Sequence, residues 1–190
     1  LDEDGDGYTW ESSFEPVSYF ASNVDLTGSG HDGSDGFVLS GSFSNVTSQA
    51  LYPDNWLITP TLAIPNEGGK LSFYVAAQDA DFANEHYGVY VSTTGLNPSD
   101  FTLLYEETID EEGGPREQGL WKQKNVNLPY GGQNIHIAIR HFDCTDMFLL
   151  NLDDFSVTPG TSVNNHEGVK TVVYPNPATN NFTVNLGNDE

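Results

Sequence analysis

Lys70-Leu71-Ser72-Phe73-Tyr74-Val75-Ala76-Ala77 places Leu71, Phe73, Val75 and Ala77 at alternate positions. Successive side chains of an extended chain point to opposite faces, so this period of two marks a half-buried strand. Ile135-His136-Ile137-Ala138-Ile139 repeats the pattern with three isoleucines. Working outward, β-rich runs bounded by Gly, Pro, Asn and Asp predict strands at Gly36 to Phe43, Trp56 to Ile64, Lys70 to Ala77, Tyr87 to Ser92, Leu103 to Glu107, Trp121 to Leu128, Ile135 to Phe142 and Phe148 to Val157. Helical periodicity is almost absent. Eight or more strands at this spacing predict an all-β chain folded as an antiparallel jelly-roll β-sandwich. The long connections from Ala77 to His86 and from Ile109 to Gly119 are expected to carry binding functions, as loops at sandwich ends commonly do.

The length of 190 residues suits one main domain and part of a second. Residues 1–159 form the predicted sandwich, and the polar stretch around 160–171 reads as a linker. Within 172–190, Val172-Val173-Tyr174 leads through Pro175-Asn176-Pro177 to Phe182, Val184 and Leu186, a strand, a turn and a second strand. So short a segment cannot build a core of its own. With a first residue other than Met, the chain reads as a processed or excised piece of a longer protein.

The chain carries 28 acidic and 6 basic residues, a formal charge of −22. A nucleic-acid partner is excluded, because neutralising phosphates needs a basic stripe and the lysines and arginines are scattered. Self-repulsion on this scale weakens a compact state unless cations offset it. The single cysteine, Cys144, allows no internal disulfide. No apolar run reaches the length of a membrane span.

Asp2-Glu3-Asp4-Gly5-Asp6-Gly7 sets carboxylates at alternate positions beside glycines that permit a tight turn. Calcium takes six to eight hard oxygen ligands, so Asp2, Asp4 and Asp6 form a partial cage; the alternative is an acidic turn. An EF-hand does not fit, because its twelfth position would be Ser13 rather than Glu. In the last strand Leu149, Asn151, Asp153, Phe155 and Val157 share a face by period two, which sets Asp153 among apolar neighbours. A buried carboxylate needs a partner: a cation shared with the amino-terminal loop if the first and last strands adjoin, with Asp154 the competing choice if the register slips by one, or else a backbone amide or an arginine. Asp79, Asp81, Glu85 and His86, with Asp54, Asn55, Asp143 and Asp146, make a further candidate cluster if their loops meet. One or two structural calcium ions are therefore expected.

Enzyme signatures are lacking. Cys144 follows His141 by three residues, but one thiol and one histidine complete neither a triad nor a tetrahedral zinc site, and Cys144 reads as a small apolar residue. HExxH, GxSxG, P-loop and GxGxxG motifs are absent. Asn45-Val46-Thr47 and Asn181-Phe182-Thr183 fit the glycosylation sequon but read as an ordinary turn and strand. A carbohydrate-binding module presenting Trp10, Trp56 or Trp121 is one reading of the chain, although strand placement makes Trp56 and Trp121 core residues.

Several motifs in order carry a family resemblance: Asp4-Gly5-Asp6-Gly7 with Trp10, Pro53-Asp54-Asn55-Trp56-Leu57-Ile58-Thr59-Pro60, Gly69-Lys70-Leu71-Ser72-Phe73, Glu85-His86-Tyr87, Arg140-His141-Phe142 and Leu152-Asp153-Asp154. Together they resemble the cleaved adhesin domains of gingipains and related haemagglutinins. The resemblance implies a secreted, calcium-binding jelly roll at a bacterial cell surface, with host extracellular or erythrocyte proteins as partners and possible glycan binding. It implies no catalysis, because the gingipain protease activity belongs to a separate domain. Val173-Tyr174-Pro175-Asn176-Pro177-Ala178-Thr179 with Phe182-Thr183-Val184 resembles the opening of a C-terminal sorting domain of the type IX secretion system.

Overall fold

The computed structural model describes residues 1–14, 16–22, 24–109 and 120–160, and two short strands at 172–174 and 183–185. One five-stranded antiparallel sheet runs in the order β1 (Glu11–Ser12), β2 (Val38–Gly41), β12 (Leu149–Pro159), β7 (Gly69–Ala77), β10 (Lys122–Leu128). The second runs β5 (Asn55–Ile58), β11 (Asn134–His141), β8 (His86–Ser92), β9 (Thr102–Thr108), with β6 (Leu62–Ala63) also paired to β11. Two small antiparallel pairs are also described: β3 (Phe43–Ser44) with β4 (Gln49–Ala50), and β13 (Val172–Tyr174) with β14 (Thr183–Asn185). The fold is all-β, the expected antiparallel jelly-roll sandwich. Among the described residues no helix is long and apolar enough to cross a membrane.

The alternation read from sequence is what closes the two sheets on each other. Leu71, Phe73 and Val75 of β7 and Leu150 and Leu152 of β12 meet Tyr87, Val89 and Val91 of β8 and Ile135, Ile137 and Ile139 of β11 in one core. The predicted strand from Trp56 to Ile64 divides into β5 and β6 around Pro60, which has no N–H to give to β11. The stretch from Gly36 to Phe43 divides likewise into β2 and β3.

Each outer face is covered in part. Val17, Tyr19 and Leu26, from the segment before β2, pack on Leu39 and Leu149. Tyr19 reaches its place because residue 41 is Gly: a Cβ there would stand 2.5 Å from the Tyr19 ring. On the opposite face Trp56, Tyr90, Ala138 and Phe142 cluster, with Arg140 over the rings of Trp56 and Phe142. Trp56 is therefore buried as expected, while Trp121 is half-buried against Phe37.

Candidate metal centre

The amino-terminal loop is curled by its own carboxylates. Asp2 accepts from the amides of Gly5 and Gly7 at 2.6 and 3.0 Å, Asp4 from that of Asp6 at 3.0 Å, and Asp6 from that of Tyr8 at 2.7 Å. Positive φ at Gly5 and Gly7, +73° and +85°, permits the curl. Asp2 bridges to Asn55, and Asp4 accepts from the Asp54 amide at 2.6 Å, so the loop is tied to the start of β5. Carboxylate oxygens of Asp2, Asp4 and Asp6 gather within 4.8 Å of one another. Partial burial, and then the charges of Asp4 and Asp2, hold the Asp6 carboxyl above its ordinary range against the pull of the Tyr8 amide. Ionising Asp6 thus works against the fold as pH rises through that range, a penalty that a cation would relieve.

The other expected ligands lie elsewhere. Strand β2 separates β1 from β12, so the first and last strands of this sheet do not adjoin, and Asp153 does not join the amino-terminal loop. Asp153 instead accepts from the Ser34 hydroxyl and the His31 amide, both at 2.9 Å. A register shift in β12 follows it, with Asp154 at φ +52°. Beyond the shift Phe155 leaves the face of Asp153 and stacks on the core ring of Phe73. His31 lies flat on Tyr74 and bonds Asp154 at 2.8 Å.

Asp54 is held by Arg140 through Nε and Nη2, at 2.7 Å each, and by the Trp56 indole at 2.9 Å. The guanidinium holds the Asp54 carboxyl below the usual carboxylate range. A depressed folded value means that the bond stabilises above the unfolded range and is lost as pH falls through the folded one. Asp54→Asn is therefore expected to cost about 1 kcal/mol at neutral pH, and less near pH 3. Urea unfolding at both pH values measures this; an equal cost at both would assign the effect to packing.

Asp79 caps its own turn through the Asp81 amide and lines, with Asp146, Phe43, Asn45, Phe82 and Phe148, a cavity of about 270 Å³. The predicted cluster is thus split. His86 bonds Thr108 at 2.9 Å, while Asp143 lies beside Asp54 and Arg140 in another depression. Glu85 turns away from all of these into the core.

Glu85 and His141, both fully buried, meet Cys144 in a cluster that sequence reasoning missed. Glu85 Oε2 lies 2.9 Å from His141 Nε2 and 3.4 Å from Cys144 Sγ, which stands 3.1 Å from the same nitrogen. Cys144 is thus a member of a polar cluster, not the small apolar residue expected. Burial first, and then the Glu85 charge, push its thiol up, which works against a nucleophilic thiolate. A relay would use both ring nitrogens, one for the thiol and one for the carboxylate, whereas here both press on Nε2.

Two antiparallel sheets packed face to face, with polar groups gathered in an acidic loop and at one end of the core, define a jelly-roll β-sandwich module. The chain belongs to the Cleaved Adhesin Domain family, whose model matches residues 1–157. It is 45% identical over 166 residues to Gingipain R1 of Porphyromonas gingivalis, covering 83% of this chain and 9% of that protein. Against Hemagglutinin A of the same organism it is 42% identical over 173 residues, covering 85% of this chain and 7% of that protein. The chain thus spans less than a tenth of the length of these curated relatives. Its fold matches the K1 cleaved adhesin domain of Lys-gingipain from P. gingivalis with a TM-score of 0.70 and 43% identity, covering 85% of this chain and 89% of that one.

Proposed function

We propose that this chain is a non-catalytic adhesin module, stabilised by calcium and displayed by a bacterium at its surface, that binds host extracellular or erythrocyte proteins. The observation that carries the reading is the match to gingipain and hemagglutinin relatives along nearly the whole sandwich. The converging carboxylates of Asp2, Asp4 and Asp6 support calcium, since hard oxygens on a curled backbone suit that ion. The ion would fix the loop that ties the amino-terminal residues to β5. Asp153, Asp79, Asp54 and Asp146 are left to structural roles. The pair of β13 and β14 is proposed as the opening of a type IX sorting domain, which implies export across the outer membrane.

The 190-residue chain should bind erythrocytes or immobilised haemoglobin saturably, without turning over a peptide or glycan panel. Failure on both targets, with saturable sugar binding on a glycan array, would replace the adhesin reading with the carbohydrate-binding one. Calcium at a hundredfold excess over its dissociation constant should raise Tm by about 5–10 °C relative to EGTA. Asn at positions 2, 4 and 6 together should abolish the rise. An unchanged Tm in calcium would remove calcium from the proposal and leave the adhesin arm standing.

A further inference from the structure

We propose that Glu85, His141 and Cys144 form a transition-metal site of the zinc type, separate from the acidic loop and independent of the calcium reading. Three electron-pair donors face one point, with edges of 2.9, 3.1 and 3.4 Å. His141 Nε2 has a single in-plane lobe, either an N–H bond or a lone pair. Two atoms press on that lobe, and one proton cannot lie along both contacts. A cation satisfies all three at once. At about 2.1 Å from the nitrogen and oxygen and about 2.3 Å from the sulfur it would stand roughly 1 Å off their plane, leaving a fourth position open. Donors around tetrahedral zinc stand about 3.5 Å apart, so the edges of the triangle have to widen by roughly 0.1 to 0.6 Å.

The surroundings prepare each donor for this role. Glu85 Oε1 accepts from the Ser42 hydroxyl at 3.0 Å and the Phe148 amide at 2.9 Å, which leaves Oε2 to the ion. His141 Nδ1 lies 2.9 Å from the Ser40 hydroxyl, which also accepts from Asn55 Nδ2 at 3.1 Å. With Nδ1–H donating to Ser40, the Nε2 lone pair points at the ion, the arrangement by which outer hydrogen bonds fix a ligating imidazole. A carboxylate and a thiolate together cancel the charge of a divalent ion, as burial demands. Cys144 also lines the depression formed with Tyr52, Asp54, Arg140 and Thr145, which gives the ion a route in. Thiolate, imidazole and carboxylate donors suit zinc rather than calcium. Bound there, the ion would link the start of β8, the end of β11 and the loop that follows it.

Cobalt(II) added to the metal-free 190-residue chain tests the site, because a sulfur-to-cobalt charge-transfer band reports the thiolate ligand directly. Cys144 is the only thiol in the sequence. One equivalent should produce the band together with tetrahedral visible transitions; zinc should abolish both, and millimolar calcium should abolish neither. Cys144→Ala should keep the native circular dichroism, lose the band and weaken zinc binding more than about a hundredfold; Ser42→Ala should keep the band and weaken binding about tenfold. A folded wild-type chain without the band, or equal zinc affinity in Cys144→Ala, would overturn the proposal.

Discussion

Replacing Glu85 with Ala is expected to lower the free energy of unfolding by about 3–5 kcal/mol, measured by urea titration in the presence of a chelator. The carboxylate is fully buried, and four groups converge on it: the Ser42 hydroxyl, the Phe148 amide, His141 and Cys144. Alanine would leave an amide, a hydroxyl and an imidazole without their acceptor inside the sandwich. Each orphaned group keeps its full desolvation cost, so the loss exceeds the net worth of the bonds themselves. Glu85→Gln, which retains one carbonyl oxygen for Ser42 and Phe148, should cost roughly half as much. The midpoint should move while the denaturant slope stays constant, since the surface exposed on unfolding is unchanged. A shift below about 1 kcal/mol for the alanine variant would mean that water replaces the carboxylate easily and that the cluster is wetter than its burial indicates.

Phe73→Ala should be about as severe, at roughly 3–5 kcal/mol. Phe73 sits near the middle of β7, which bonds both β12 and β10, and its ring lies between Tyr87 at 6.1 Å and Phe155 at 5.0 Å. Both sheets would lose contacts around the resulting cavity. Phe155 is 39% exposed, so Phe155→Ala should cost only about 1 kcal/mol. Because the two rings stack, the double variant should cost less than the sum of the single ones, and simple additivity in urea melts would argue against that stack.

Much of this architecture is legible in the sequence because a sandwich enforces the period of two along every strand. The eight predicted strands all occur, two of them in two pieces each, and the alternating runs at Lys70 and Ile135 form β7 and β11. What was lost depends on breaks in the period. Pro60 splits one strand by withholding a donor, and the shift after Asp153 turns Phe155 to the opposite face. The face of Asp153 was foreseen, but its partners, Ser34 and His31, lie 119 and 122 residues away in a segment without periodicity. The Glu85 cluster left a faint signal. His141 continues the row Ile135, Ile137, Ile139, and Glu85 precedes the row Tyr87, Val89, Val91 on the inward face. Two ionisable residues at the same end of two apolar rows that pair in β11 and β8 imply a buried meeting. Cys144 carried no such pattern, since it lies in a loop.

The pairing of the amino-terminal residues with β5 bears on how the molecule would carry mechanical load. The Leu1 carbonyl accepts from the Trp56 amide at 2.8 Å, at the end of the sandwich where Asn55 faces His141 and His141 faces Tyr87. Gly160 is bonded to Gly68 beyond the other end of β12, where Pro159 faces Gly69. Tension applied between these two points runs parallel to the strands. The ladder between β12 and β7 would then be loaded in shear, with many of its bonds resisting together instead of opening one after another. The sandwich would draw its resistance to such a load from this geometry, with no ion required.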